Sequence, residues 1–175
     1  WRGEETMEQR IDREESSAGS RPALVRPSPP SRVCLFMLGA ESFAIELNQV
    51  REVFPLESIT PVPDMPSVLV GVANVHGIIV PLADLRPVLG IPSSSALRYA
   101  VIMRCGAQQI GIVIDEVPEI GTIEVNDTLE ELTGEMARHR PFLSGLLRLG
   151  SRVSGLVEVS RLVAMVDGTL DQQAA

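Results

Sequence analysis

Residues Gly71–Leu85 read GVANVHGIIVPLADL. Two short apolar runs meet at a glycine, Gly77, and the second is closed by Pro81. Asn74 and His76 are the only polar interruptions before Asp84. Runs of this length with a glycine between them predict a strand, a tight turn and a second strand.

The hairpin sits inside a larger repeat. FMLGAESFAIELNQVREV and VIMRCGAQQIGIVIDEVPEI superimpose with a shift of 67 residues, pairing Gly39 with Gly106, Ile45 with Ile112, Val50 with Val117 and Glu52 with Glu119. Beyond them Gly71 pairs with Gly145 and Val75 with Leu149. The apolar runs then match best with a turn about three residues longer in the second copy, which pairs Ile79, Val80 and Leu85 with Leu156, Val157 and Leu162. Two copies of one β module therefore lie in tandem. Each has about five short strands bounded by Gly, Pro or Asn, a pattern that fits a small closed barrel better than an open sheet with long edges. A unit of roughly 65 to 70 residues buries little surface for its length, so each copy is expected to lean on the other. Helix is a minor component, expected near Asp84–Leu89, within Leu129–His139 and from Ser160.

The expected organisation is a tail over residues 1–31, a first barrel over about 32–97, a second over about 98–166, and a flexible end over 167–175, with the chain termini free to cross between barrels. The tail alternates acids with arginine and then turns to serine and proline in SRPALVRPSPPSR. That is too little apolar content to offset the entropy of ordering, so a solvated spacer is the expectation, with docking to a polyproline-reading groove as the alternative.

These motifs resemble the CheW coupling proteins of bacterial chemotaxis. The usual signature of that family runs glycine, apolar residues, asparagine, an apolar residue, arginine, glycine, an apolar run, proline, then aspartate, leucine, arginine. Gly71, Asn74, Gly77, Pro81, Asp84, Leu85 and Arg86 fall in place, and His76 stands where the arginine is expected. QVREVF (49–54), QQIGIVIDEV (108–117) and PFLSGLLRLGSRVSGLVEVSRLV (141–163) match further family segments in order, so the resemblance covers about Val33 to Met165. It implies a mainly β fold of two five-stranded SH3-like barrels. It also implies a non-catalytic adaptor that couples the cytoplasmic tip of chemoreceptors to the regulatory domain of a CheA-type histidine kinase. Such a protein is cytoplasmic, recruited to membrane receptor arrays, and expected as a monomer in isolation.

Composition agrees. Six acids and six arginines cancel within residues 1–32, so the whole net charge of −8 falls from Val33 onward. Nucleic acid is thereby excluded as an expected partner, because phosphate binding needs a concentrated basic face. Apolar runs are too short to span a bilayer, so no membrane insertion is expected. Cys34 and Cys105 lie in apolar runs without metal-ligand spacing and read as buried small hydrophobes.

Catalytic signatures are missing from the sequence: it has no G-x-S-x-G, no phosphate loop ending in lysine, no G-x-G-x-x-G and no H-E-x-x-H. The chain contains no lysine at all. His139 reads as a solvated loop residue, and so do Glu130 and Glu131. Asp115 and Glu116 are neighbours in a strand and face opposite ways. No cofactor is expected.

For receptor and kinase contact the resemblance points to Val50, Glu52, Gly71, His76, Gly111 and Ile120. Apolar residues can take the face of a receptor helix, and glycines permit close backbone approach; Val50, Gly111 and Ile120 read equally as core or turn residues. In the family, the acid at Glu52 commonly pairs with the arginine replaced here by His76. Either the histidine is a tolerated replacement, or it marks a paralogue tuned to a different receptor and kinase. A module that binds receptor tips or array components without coupling to a kinase is the alternative function.

Overall fold

The computed structural model describes residues 31–92 and 98–174, the last six as backbone only. The expected tail and the extreme C-terminus thus lie almost wholly outside the residues whose side chains are described. The strands are β1 (Ser31–Leu38), β2 (Glu41–Glu46), β3 (Val50–Pro55), β4 (Leu69–Val75), β5 (Ile78–Ala83), β6 (Tyr99–Cys105), β7 (Gln108–Ile114), β8 (Glu119–Ile123), β9 (Thr128–Glu130), β10 (Leu143–Leu149) and β11 (Arg152–Val157). Helices α1 (Arg86–Leu89), α2 (Gly134–His139) and α3 (Val159–Ala174) fall near the three expected places. Helix α3 carries regular structure through most of 167–174.

The strands make a mainly β fold of two sheets, ordered β8-β1-β2-β11-β10-β9 and β3-β6-β7-β5-β4. Apart from β9, which has no counterpart strand, the two orders are the same list written in the two copies. β1–β2 corresponds to β6–β7, β8 to β3, and β10–β11 to β4–β5. Register repeats as well: Glu52 lies opposite Ile102 and Glu119 opposite Leu35, while Leu82 lies opposite Gly111 and Leu156 opposite Ala44 across the parallel pairs. Each sheet thus combines the first hairpin of one copy with the later strands of the other.

The sheets consequently do not coincide with the sequential units 32–97 and 98–166. The five-stranded sheet is drawn from the continuous stretch 50–114, and the six-stranded sheet from the two flanks. The chain leaves the first sheet at the 3-10 turn Leu47–Gln49 and returns after Ile114. The reason is local: the strand after each first hairpin pairs with the other copy's first strand, β3 with β6 and β8 with β1.

One sequence alignment is corrected. Both later hairpins have two-residue turns, Val75 opposite Ile78 and Leu149 opposite Arg152, so no three-residue difference exists. Ile79 corresponds to Val153 and Leu82 to Leu156. The second copy opens β11 with Arg152 and Ser154 where the first opens β5 with Ile78 and Val80, so its apolar run starts later and misplaces the match.

Alternation along the strands explains the core. On β6, Val101 and Met103 face a cluster between the sheets, with Phe36, Phe43, Ile112, Phe142 and Leu162. Ala100 and Ile102 face the other way, into a cluster with Ala73, Val75 and Leu82 inside the curl of the five-stranded sheet. On β1, Val33 takes the corresponding inner position with Leu147 and Leu156. Central strands buried on both faces must be apolar throughout, which is why VCLFML and AVIMRC show so little polar alternation. Phe43 stacks on Phe36 with ring centroids 5.7 Å apart and tilts against Phe142 at 6.4 Å.

Candidate functional site

The turn between β4 and β5 places the most informative side chain. His76 and Gly77 have φ of 51° and 85°, the two left-handed residues that a two-residue hairpin of this twist requires. Glycine adopts this freely, and histidine is among the side chains that tolerate it best. Asn74 fixes the turn, its Oδ1 accepting the Gly77 N–H at 2.8 Å.

This geometry carries the His76 ring across to β3, at the opposite edge of the same sheet. His76 Nε2 lies 3.0 Å from Glu52 Oε2, and the ring meets Phe54 at right angles with centroids 5.7 Å apart. Glu52 and Phe54 are two residues apart on one strand and share a face. The two edges of the five-stranded sheet are thereby joined through side chains. The His76 side chain is 65 % exposed and that of Glu52 29 %, so the pair contributes about 1 kcal/mol or less.

In the other sheet the equivalent acid meets a base from a different hairpin position, because Arg152 corresponds to Ile78 and His76 to Gly150. Glu119 Oε2 lies 3.8 Å from Arg152 Nη1, with both side chains largely in water.

The remaining candidates separate. Gly71 is buried at a bulge in β4, and a Cβ there would run into the Thr60 carbonyl oxygen. Gly111 is buried, and its Cβ would stand 2.7 Å from Leu82 Cδ2. Val50 opens β3 half-buried against the inter-sheet core. Ile120 is 52 % exposed on β8, an outer strand of the other sheet. The structure therefore joins Glu52 to His76 and distributes the others. Phe54 was not singled out in the sequence; its place two residues after Glu52 was the available signal.

Two clefts occupy equivalent positions. One, of about 500 Å³, opens where β5 and β7 diverge beneath α3 and is lined by Leu69, Ile78, Ile79, Pro81, Ile110 and Val163. Its counterpart, of about 480 Å³, lies between β2, β11 and α2. There Met37, Met136 and Val153 are rimmed by Arg152 and by the Arg140–Glu41 ion pair at 2.7 Å. The first also has Gln108, Gln109 and Asp167 in its lining, so the two differ in degree: the first is the more aliphatic, and the second carries two arginines and a glutamate.

Below the first cleft's sheet lies a buried charge cluster. Arg86 is 1 % exposed, donates to Asp84 Oδ1 at 3.1 Å, and meets Asp115 Oδ1 at 2.8 Å. It ties the start of α1 to the end of β7. Cys34 is buried, and desolvation pushes its thiol up to about 11, which keeps it protonated and unreactive at neutral pH. Among the described residues, His, Cys, Asp and Glu form no group of three suited to a metal ion, and no helix is long and apolar enough to cross a membrane.

Comparison with known proteins adds the following. The family described as CheW-like domain matches residues 32–167. A chemotaxis protein CheW of Klebsiella aerogenes is 26 % identical over 143 residues, covering 81 % of this chain and 86 % of the relative. A probable chemotaxis protein CheW of Rhizobium etli is 28 % identical over 131 residues, covering 73 % and 83 %. The crystal structure of the scaffolding protein TtCheW from Thermoanaerobacter tengcongensis superimposes with a TM-score of 0.65 at 24 % identity, covering 77 % of this chain and 88 % of that one.

Proposed function

Because this chain belongs to the CheW-like domain family, we propose that it is a non-catalytic adaptor that couples chemoreceptor tips to the regulatory domain of a CheA-type histidine kinase. On this reading each curled sheet is an SH3-like barrel, and the protein is a cytoplasmic monomer until it is recruited to receptor arrays. Residues 1–31 are dispensable for folding. The observation that carries the reading is the pair of clefts: one frame, repeated, offers two partners chemically different surfaces. An adaptor needs that inequality, since two identical surfaces would recruit one partner twice.

The candidate contacts Val50, Glu52, Gly71, His76, Gly111 and Ile120 belong to this reading. Glu52, His76 and Ile120 can meet a partner directly, while buried Gly71 and Gly111 act by holding β4 and β7 in place. His76 in the arginine position favours a paralogue with its own receptor and kinase. Arginine offers a fixed planar fork, and imidazole offers at most two donors.

The test is binding of the purified protein to a receptor-tip fragment and to the kinase regulatory domain, separately and together. Simultaneous binding is expected. Competition between them would favour the alternative, a module that engages array components without coupling, and binding to neither would remove both.

A further inference from the structure

The parallel pairing that joins the two hairpins of each sheet is zipped to different lengths in the two copies. In the six-stranded sheet β11 pairs with β2 at Ser154, Gly155 and Leu156, and the Ser42 and Ser154 hydroxyls bond at 2.8 Å at the hairpin end of that ladder. In the five-stranded sheet β5 pairs with β7 only at Leu82 and Ala83. Pro81 stands where the other copy has Gly155, and proline has no N–H to give to a neighbouring strand. Ahead of it β5 and β7 part. The cleft of about 500 Å³ opens there, with Ile78, Ile79 and Pro81 on one side and Ile110 on the other. Ile79 is 62 % exposed and Ile78 43 %.

An open wedge between two strands suits an extended chain, whose backbone meets the strand edges and whose alternate side chains fill the cleft. We propose that the occupant is this chain's own segment RPALVR, residues 21–26, docked as an added strand between β5 and β7. Ahead of Ser31 the longest apolar run is Pro22–Val25, flanked by Arg21 and Arg26, and residues 20–30 hold no acid. The cleft is complementary: Asp167 on α3 is the charged side chain of its lining among the described residues. The second cleft carries Arg140 and Arg152, with Glu41 already taken up by Arg140, and so opposes a basic segment.

Reach agrees with this placement. Near the start of β1, Val33 lies opposite Glu46, and Glu46 shares a small pocket with Glu158, just ahead of α3. From Val159 the helix runs to Asp167 at the cleft, about 12 Å at 1.5 Å per residue. The chain from Val25 to Ser31 extends up to about 20 Å, enough to follow the helix to the cleft. Seated there, the segment covers Ile78 and Ile79 and is held at an edge, not in a core, so a partner with an apolar strand or loop can displace it.

The test uses the full chain with isoleucine and methionine methyl labels, compared by NMR with the double variant Leu24→Asp, Val25→Asp. Methyl shifts are expected to change at Ile78, Ile79 and Ile110, and amide exchange over 108–110 to become severalfold faster, with Met136 in the second cleft unchanged. Arg26→Glu should speed the same exchange more weakly, and combining it with Asp167→Arg should restore protection. No change at Ile78 and Ile79, or changes centred on Met136, would overturn the inference. So would shifts that vary with protein concentration, because they would place the segment on a second molecule.

Only displacement by a partner rests on the adaptor reading, and the two fail separately. Methyl changes in a chain that binds neither receptor nor kinase fragment would leave the docked segment standing and sink the adaptor. Binding of both fragments without methyl changes would do the reverse.

Discussion

Asp84 and Glu158 occupy the same place in the two copies. Each follows the last strand of its copy, and each donates its backbone N–H to an equivalent carbonyl, Val68 at 2.8 Å and Phe142 at 3.0 Å. Their side chains meet opposite fates. Asp84 turns inward to a fully buried Arg86, whereas Glu158 stays at the surface with Ser160 and Arg161. The following segments differ accordingly. Helix α1 stops after four residues at Gly90, which has a left-handed φ of 68°, because the chain must return to start β6. Helix α3 is free to continue, and it lays Leu162 and Val166 on the inter-sheet core. A repeated frame is thus set by strand register and alternation, and the chemistry hung on it is open to change.

The largest expected effect tests that inequality. Arg86→Met leaves Asp84 buried without its partner and should cost roughly 3–5 kcal/mol. Arg161→Met at the surface counterpart should cost about 1 kcal/mol or less. Urea midpoints of the two variants decide, and similar losses would mean that the buried cluster adds nothing beyond a surface pair.

Gly71 and Gly145 test the shared frame instead. Both sit at bulges, and in both a Cβ would meet a crossing carbonyl, of Thr60 or of Glu130. Gly71→Ala and Gly145→Ala should each destabilise by about 2–4 kcal/mol through overpacking, with backbone strain added at Gly71, whose φ is 153°. Free tolerance of either by calorimetry would break the equivalence.

Cys34 corresponds to Val101, and its thiol, raised by burial to about 11, gives a pH test. The unfolded thiol ionises at lower pH than the folded one, so this contribution to stability is complete below about pH 8.5 and is lost as pH rises toward 11. The loss should reach about 2 kcal/mol. A chain without lysine keeps that window comparatively clear. Cys34→Val should flatten the decline in stability measured between pH 9 and 11; an unchanged slope would mean that the buried thiol does not carry it.

The smallest effect is His76→Arg, which makes the two joins alike in charge. A change of about 1 kcal/mol or less in stability is expected, with a change in receptor-tip affinity measured by titration at a single pH. If both affinity and partner choice stay as they were, His76 is a neutral replacement.

The repeat was legible because glycines and apolar residues recur at one spacing. The exchange of hairpins between copies was not, because a period of 67 says which strands are alike and not which ones pair. The Glu52–His76 contact could be expected only through the resemblance; no local pattern joins residues 24 positions apart. Arg86 escaped notice as a buried residue since D-L-R reads as a solvated turn. Its burial depends on Asp115, which the chain brings from the other copy.

The interleaving of the chain also dictates an order of assembly. The five-stranded sheet is encoded without interruption from Val50 to Ile114 and can form as soon as that stretch exists. The β1–β2 hairpin is made first yet waits for β8 and β11, its neighbours on either side. Until residue 157 has left the ribosome, two largely apolar strands stand with open edges. Pairing this distant in sequence is slow, and a second molecule at high concentration can supply the missing strands before the first does. Refolding from denaturant should therefore yield a dimeric fraction that grows with protein concentration, and its absence would show that the hairpin is protected by the finished sheet from the start.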